Sequence, residues 1–166
     1  MENLWAPWRM AFITPKTPPP PGCIFCTLPA EHQDVEHHIL YRGDLCFMML
    51  NLYPYNNGHL MIAPFQHVSS IEHLEAATLA EMMSQAQLAL KALRLAMNPD
   101  GFNMGINEGK VAGAGYADHV HYHIVPRWHG DTNFMPVVAD IKVMPEHLDV
   151  VYAKLQEALA ASEPRT

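Results

Sequence analysis

Residues 119–125 constrain the possible folds of this chain more than any other segment. They read His-Val-His-Tyr-His-Ile-Val, so histidine and hydrophobic residues alternate strictly. Because successive side chains of a β-strand point to opposite faces, the pattern predicts a strand with His119, His121 and His123 on one face. The hydrophobic residues between them would then pack on a core beneath a helix.

Clustered imidazoles repel one another when protonated, so at least some of these histidines are expected to be neutral near pH 7. A neutral imidazole is what a nucleophile or a metal ligand requires. Histidine makes up 11 of the 166 residues, but the strict alternation makes a chance run the weaker explanation. A metal-dependent barrel enzyme built on His-x-His would normally add a glutamate a few residues later, and residues 124–127 are Ile-Val-Pro-Arg.

Composition excludes several other classes of protein. Ten Lys and Arg against 17 Asp and Glu give a net charge of −7, the reverse of the basic surface that binds nucleic-acid backbones. No apolar run approaches the ~20 residues of a membrane span, and no signal peptide is evident at the N-terminus. We therefore expect a cytoplasmic protein that binds neither membrane nor nucleic acid, and the odd cysteine count of three argues against a disulfide scaffold.

Hydrophobic patterning predicts an α+β fold, with an antiparallel sheet flanked by helices. Turn residues at 53–58 separate strand-like segments. The predicted strands are 39–42, 45–50, 59–63, 102–107 and 119–125.

Two helices are predicted beside this sheet. The main one covers 78–97 and would begin with a capping box formed by Thr78 and Glu81. The last one opens at Pro145 and repeats its apolar residues at helical spacing. Its inward positions are Leu148, Val151, Leu155 and Leu159.

The chain divides into three parts. Residues 1–22 form an arm rich in Trp and Pro, which is expected to be extended as polyproline II. Trp5 and Trp8 would clamp this arm to the body or to a partner subunit. The globular domain is predicted over 23–161, and residues 162–166 are a polar tail.

The histidine segment resembles the signature of the histidine triad (HIT) superfamily, three histidines alternating with hydrophobic residues. Residues 51–54, 58–64 and His67 resemble the ribose-contacting strand and turn of that family, and 107–109 resemble its phosphate-contacting loop. Residues 4–9 and 126–134 look like the bacterial branch grouped with diadenosine tetraphosphate phosphorylases. The resemblance covers roughly residues 4–155 and implies a HIT-like fold in a two-fold homodimer.

The resemblance also implies a mechanism. His121 would attack the α-phosphorus of an adenine nucleotide and form a nucleotidyl-histidine, which water or phosphate would resolve. His123 would hydrogen-bond phosphate oxygens or the leaving group. Asn51 would hold a ribose hydroxyl and Asn107 the α-phosphate. Alone, each asparagine is more often a turn or cap residue.

The loop before the triad departs from the family pattern. The wider family often has serine or threonine three or four residues before the first histidine, where this chain has Gly115 and Tyr116. Backbone amides of the glycine-bearing loop around Gly115 would contact phosphates in its place. Arg127 would add positive charge, with a surface role equally open.

Cys23 and Cys26 form a Cys-x-x-Cys pair, which alone fits a redox site or a metal knuckle. The resemblance to zinc-bearing branches of the superfamily adds His67 and His119 as ligands. A closed set of four such ligands is structural rather than catalytic. Reduced thiols and a disulfide are the alternatives.

The favoured activity is cleavage of dinucleoside polyphosphates, especially diadenosine tetraphosphate, by hydrolysis or phosphorolysis, with phosphate slightly preferred over water. A nucleoside phosphoramidate hydrolase is the alternative enzyme. A non-catalytic nucleotide-binding or zinc-dependent interaction protein is the alternative from another class.

Overall fold

The structure is a computed structural model that describes residues 22–132 and 143–162. Within these residues it contains three α-helices and five β-strands. In chain order they are α1 (Ile24–Ala30), β1 (Ile39–Arg42), β2 (Cys46–Leu50), β3 (Leu60–Pro64), α2 (Ala76–Met97), β4 (Gly101–Ile106), β5 (Tyr122–Arg127) and α3 (Leu148–Ser162).

The strands form one antiparallel sheet in the order β1-β2-β3-β5-β4. Strand β5, which carries His123, lies between two neighbours, because His123 pairs with Met61 of β3 and with Gly105 of β4. The predicted α+β fold, an antiparallel sheet flanked by helices, is therefore confirmed.

The sheet is covered on both faces. Helices α2 and α3 pack on one face over a core that includes Met48, Ile62 and Ile124. Helix α1 covers the other face, where Phe25 packs against Phe47 and neighbouring apolar residues. All residues of β2 and β3 are buried, which is why these strands are hydrophobic at every position rather than at alternate ones.

The histidine segment enters the sheet later than its pattern predicts. β5 begins at Tyr122, and residues 119–121 precede it, with the Val120 amide donating to the Val68 carbonyl at 2.7 Å. The alternation nevertheless holds along the extended segment. Val120 and Ile124 lie in the helix-side core, while His119 and His121 contact Phe25 on the opposite side.

The helix starts differ from the predictions. The capping box is wrong: α2 begins at Ala76, without a side-chain cap, and Thr78 is buried. The Glu81 carboxylate accepts hydrogen bonds from the backbone amides of Leu45 and Cys46 instead. The last helix begins at Leu148 rather than at Pro145.

The apolar face predicted for the last helix is largely correct, because Val151, Leu155 and Leu159 are buried. Helix α1 is short and was not predicted from the sequence.

Some predictions concern residues that the structure does not describe. Residues 1–21 of the arm and 163–166 of the tail lie outside the described residues. None of the described helices is both long and apolar enough to cross a membrane.

Candidate active site and metal cluster

His121 is buried, with 4% of its surface exposed. Its Nδ1–H donates to the backbone carbonyl of His119 at 2.9 Å. The second ring nitrogen, Nε2, is then unprotonated in the neutral ring. Burial lowers the pKa of His121, so the neutral ring, with a lone pair on Nε2, is the form expected at pH 7.

His123 has the opposite arrangement of protons. Its Nδ1 lies 2.9 Å from Nε2 of His59. The other nitrogen of His59, Nδ1, accepts from the Tyr55 amide at 3.0 Å and from Nδ2 of Asn51 at 3.3 Å. His59 must therefore carry its proton on Nε2 and donate it to His123, which leaves the proton of neutral His123 on Nε2.

The site thus combines a lone pair on Nε2 of His121 with a hydrogen-bond donor on Nε2 of the neighbouring His123. The rings of His121 and His123 are 4.7 Å apart at 70°. The main chain of His119 fixes the first tautomer, and the side chain of His59 fixes the second. Such a pair is suited to attack an electrophile with one ring while the other donates a hydrogen bond to an oxygen of the same group.

A second cluster adjoins the triad through its first histidine. One ligand atom from each of four side chains lies within 4.8 Å of the other three, and the four residues are Cys23, Cys26, His67 and His119. Nδ1 of His119 is 3.2 Å from Sγ of Cys23, 3.6 Å from Sγ of Cys26 and 3.2 Å from Nδ1 of His67. The structure therefore brings together all four predicted metal ligands.

The donor set fits a tetrahedral Zn²⁺ ion. His119 donates its Nε2–H to the Pro64 carbonyl at 2.9 Å, which leaves Nδ1 unprotonated and facing the cysteines, as a ligand must be. Burial lowers the pKa of His119 to about 4 and raises that of Cys23. The Cys23 thiol would therefore stay protonated by itself, whereas a bound zinc ion deprotonates a coordinating thiol.

The predicted asparagines both lie near the histidine pair. Asn51 orients His59, and its Oδ1 accepts from the Tyr53 amide at 2.9 Å. Asn107 directly follows β4, whose last pair is Ile106 with Tyr122. Continuing this register places Asn107 opposite His121, at the edge of the site.

The loop before the triad depends on glycines other than Gly115. Gly109 and Gly113 have φ angles of 78° and 93°, and they flank a 3₁₀ turn, Lys110–Ala112. Residues other than glycine rarely adopt such φ angles. Gly115 is exposed and is not among the residues with positive φ, so its predicted phosphate contact stays a prediction.

Arg127 lies at the end of β5, where its guanidinium donates to the Asp131 carboxylate through Nε and Nη2 and to Asn103 through Nη1. This pairing lowers the pKa of Asp131 to about 2. The contacts favour the surface role that the sequence left open, because this carboxylate already neutralises the guanidinium.

Sequence reasoning missed two residues of the site. His59 was noted only within a resembling segment, and its contact with His123 joins positions 64 residues apart. The second is Phe25, which lies between Cys23 and Cys26 in the sequence and stacks on His121. A cavity of about 440 Å³ beside Trp128 and Lys154 includes none of the triad histidines, so concavity alone does not locate this site.

Comparison with known proteins supports the same region. The family described as HIT domain matches residues 32–130. The chain is 39% identical over 155 residues to an AP-4-A phosphorylase of Mycobacterium tuberculosis, covering 89% of this chain and 79% of that protein. It is 28% identical over 106 residues to adenosine 5'-monophosphoramidase hnt1 of Schizosaccharomyces pombe, covering 64% and 74% of the two chains.

Solved structures share the fold. A zinc-bound histidine triad family protein from Mycobacterium smegmatis superposes with a TM-score of 0.68 at 27% identity, covering 84% of this chain and 94% of that one. Its bound zinc is a property of that protein, and it agrees with the donor set described above.

The ring protons of the site are measurable by NMR. Long-range ¹H–¹⁵N spectra at neutral pH should show His121 protonated on Nδ1, and His59 and His123 protonated on Nε2. In His59→Phe, His123 should lose its preference for Nε2–H because its partner is gone. His59→Gln should keep that preference, since an amide nitrogen replaces Nε2. His121 protonated on Nε2 in the wild-type protein would contradict the assignment.

Proposed function

Because the chain belongs to the HIT family, we propose that it is a nucleotidyl hydrolase or transferase that acts on dinucleoside polyphosphates, with diadenosine tetraphosphate favoured. The observation that carries the proposal is the pair of complementary tautomers at His121 and His123. The name of the mycobacterial AP-4-A phosphorylase supports the substrate class.

In the first step, the lone pair on Nε2 of His121 attacks the α-phosphorus. A P–N bond forms while the bond to the bridging oxygen breaks, and with diadenosine tetraphosphate the leaving group is ATP. The Nε2–H of His123 would hydrogen-bond an oxygen of the transferred or leaving group. Most of the catalysis in such a step comes from positioning and from stabilising the developing charge.

In the second step, water or inorganic phosphate attacks the same phosphorus. The P–N bond breaks and its electron pair returns to His121. Attacking water releases a proton to solvent, whereas inorganic phosphate attacks through an oxygen that is already ionised at neutral pH. Water gives AMP and phosphate gives ADP. Division into two displacements is the advantage of a covalent intermediate.

The remaining site residues are assigned to binding. We propose that Asn107, the residue after the Ile106–Tyr122 pair of β4 and β5, donates to the α-phosphate. Asn51 would meet a ribose hydroxyl with an amide already oriented by His59. Lys110 forms no ion pair within the described part of the chain, and it supplies the positive charge of the loop in place of Arg127.

A nucleoside phosphoramidate hydrolase is the second candidate. The similarity to the hnt1 monophosphoramidase favours it, and the same attack by His121 would release an amine in place of ATP. The non-catalytic alternative would leave the two opposed tautomers without a chemical role. Comparing turnover of diadenosine tetraphosphate, adenosine phosphoramidate and a buffer blank separates the three.

We also propose that zinc occupies the cluster of Cys23, Cys26, His67 and His119 as a structural ion. All four positions of a tetrahedral ion are then filled by protein, which leaves none for water or substrate. The free thiols of Cys23 and Cys26 match this reading rather than the disulfide. The two-fold dimer and the cytoplasmic location stay predictions.

Replacing the nucleophile should separate chemistry from binding. We expect His121→Ala to reduce turnover at least about a thousandfold, equivalent to about 4 kcal/mol of transition-state stabilisation. Equilibrium binding of a non-hydrolysable adenine nucleotide should change little. His73→Ala, at an exposed histidine outside the site, is the matched control. A near-normal kcat in His121→Ala would exclude His121 as the nucleophile.

Zinc should be present at about one equivalent per chain in protein purified without added metal. Cys23→Ser/Cys26→Ser should lose it, along with about 4 kcal/mol of stability if zinc is normally at about a thousand times its Kd. Cys46→Ala changes a buried cysteine outside the cluster and should keep the metal. Elemental analysis and thermal unfolding give both readouts, and zinc retained by the double variant would refute the ligand assignment.

An isotope label on inorganic phosphate identifies whether water or phosphate accepts the nucleotidyl group in the second step. With diadenosine tetraphosphate in labelled phosphate, phosphorolysis should place the label in ADP and leave ATP unlabelled. Lys110→Ala should then raise the KM for phosphate, whereas Lys91→Ala, at an exposed position of α2, should not. Unlabelled AMP plus ATP, formed at the same rate with or without phosphate, would show that water is the acceptor.

A further inference from the structure

Phe25 makes an aromatic contact with the histidine triad and takes no part in the proposed displacement steps. Its ring stacks on the imidazole of His121, with centroids 4.5 Å apart and planes 29° apart. Phe25 is 1% exposed, so it is closed off from solvent and acts on His121 rather than on a ligand.

The hydrogen bond to His119 does not by itself fix the His121 ring. It sets the direction of Nδ1, but the ring can still tilt about that bond, because the χ2 torsion of histidine has a broad energy well. A flat ring packed against one face of the imidazole restricts the tilt. His123 meets His121 edge-on, at 70°, so the flat contact comes from Phe25.

Phe25 lies in the first turn of α1, where its position is fixed by the residues on either side and by the apolar cluster around its ring. It stands between Cys23 and Cys26, whose sulfur atoms lie in the metal cluster. The amides of Cys26 and Thr27 both donate to the Cys23 carbonyl at 2.9 Å. On its other sides the ring packs in the apolar cluster with Phe47 and Met61, and it meets the Tyr116 ring edge-on at 5.8 Å.

We propose that Phe25 is a positioning residue that holds the plane of the His121 imidazole, so that Nε2 keeps a single direction for attack. The turn formed by residues 23–27, which we call the cysteine knuckle, fixes the position of the Phe25 ring. The expected effect on turnover rests on the proposed function, whereas the effect on the imidazole itself does not.

The test compares Phe25→Leu with Phe47→Leu. Both phenylalanines are buried in the same apolar cluster, but Phe47 stacks on Phe65. In the free protein, ¹³C relaxation of the His121 ring carbons should show a more mobile imidazole in Phe25→Leu than in Phe47→Leu, while Nδ1–H persists in both because its acceptor is the His119 carbonyl. For turnover, Phe25→Leu should lower kcat by about tenfold to a hundredfold with KM within about twofold.

Metal analysis of each variant shows whether the knuckle is intact. If Phe25→Leu does not fold, Phe25→Met carries the same measurement with a smaller change in volume. An unchanged mobility of the His121 ring, or a fall in kcat no larger than in Phe47→Leu, would overturn the proposal. A more mobile His121 ring in Phe25→Leu, in a protein whose wild type turns over no nucleotide, would support the role of Phe25 and refute the proposed function instead.

Discussion

A buried imidazole requires hydrogen-bond partners, and the arrangement of this site depends on that requirement. His59, His119, His121 and His123 are all at least nine-tenths buried. His59 has partners at both ring nitrogens. The other three each have one ring nitrogen bonded to a specific partner: His119 to the Pro64 carbonyl, His121 to the His119 carbonyl, and His123 to His59. The nitrogen that remains is then fixed as lone pair or donor.

This requirement gives different roles to residues of one type. A carbonyl partner at Nε2 leaves the lone pair of His119 on Nδ1, where the proposed zinc would bind, and a carbonyl partner at Nδ1 leaves that of His121 on Nε2, the proposed nucleophile. A donor partner makes His123 a donor in turn. His119 belongs to both parts of the site, because its side chain enters the metal cluster while its main chain orients His121. The proposed zinc site and the proposed catalytic pair are therefore adjacent, with His119 common to both.

The strands and the histidine face were predictable because their information is local. Alternation over 119–125 assigns faces directly, and four of the five strands match to within a residue at either end. What failed depends on contacts between distant parts of the chain. Glu81 satisfies amides at Leu45 and Cys46 rather than its own helix. Helix α1 is only seven residues long and contains Pro29, too short for a periodic signal.

The site itself was predictable only in part. The grouping of Cys23, Cys26, His67 and His119 came from resemblance, since no spacing rule links Cys26 to a histidine 41 residues away. The contact of His59 with His123 and the stacking of Phe25 on His121 depend on which strands and helices pack together. The candidate catalytic and ligand residues can thus be identified from the sequence, whereas the hydrogen-bond partners that fix their tautomers are known only from the fold.

The most direct test of the account is the stereochemical course at the α-phosphorus. A substrate made chiral there by oxygen isotopes or a phosphorothioate would be converted to product, and the configuration of that product determined. Two successive in-line displacements, the first by His121 and the second by water or phosphate, predict net retention. Net inversion would mean that the acceptor attacks the substrate directly, and it would contradict a nucleotidyl-histidine intermediate.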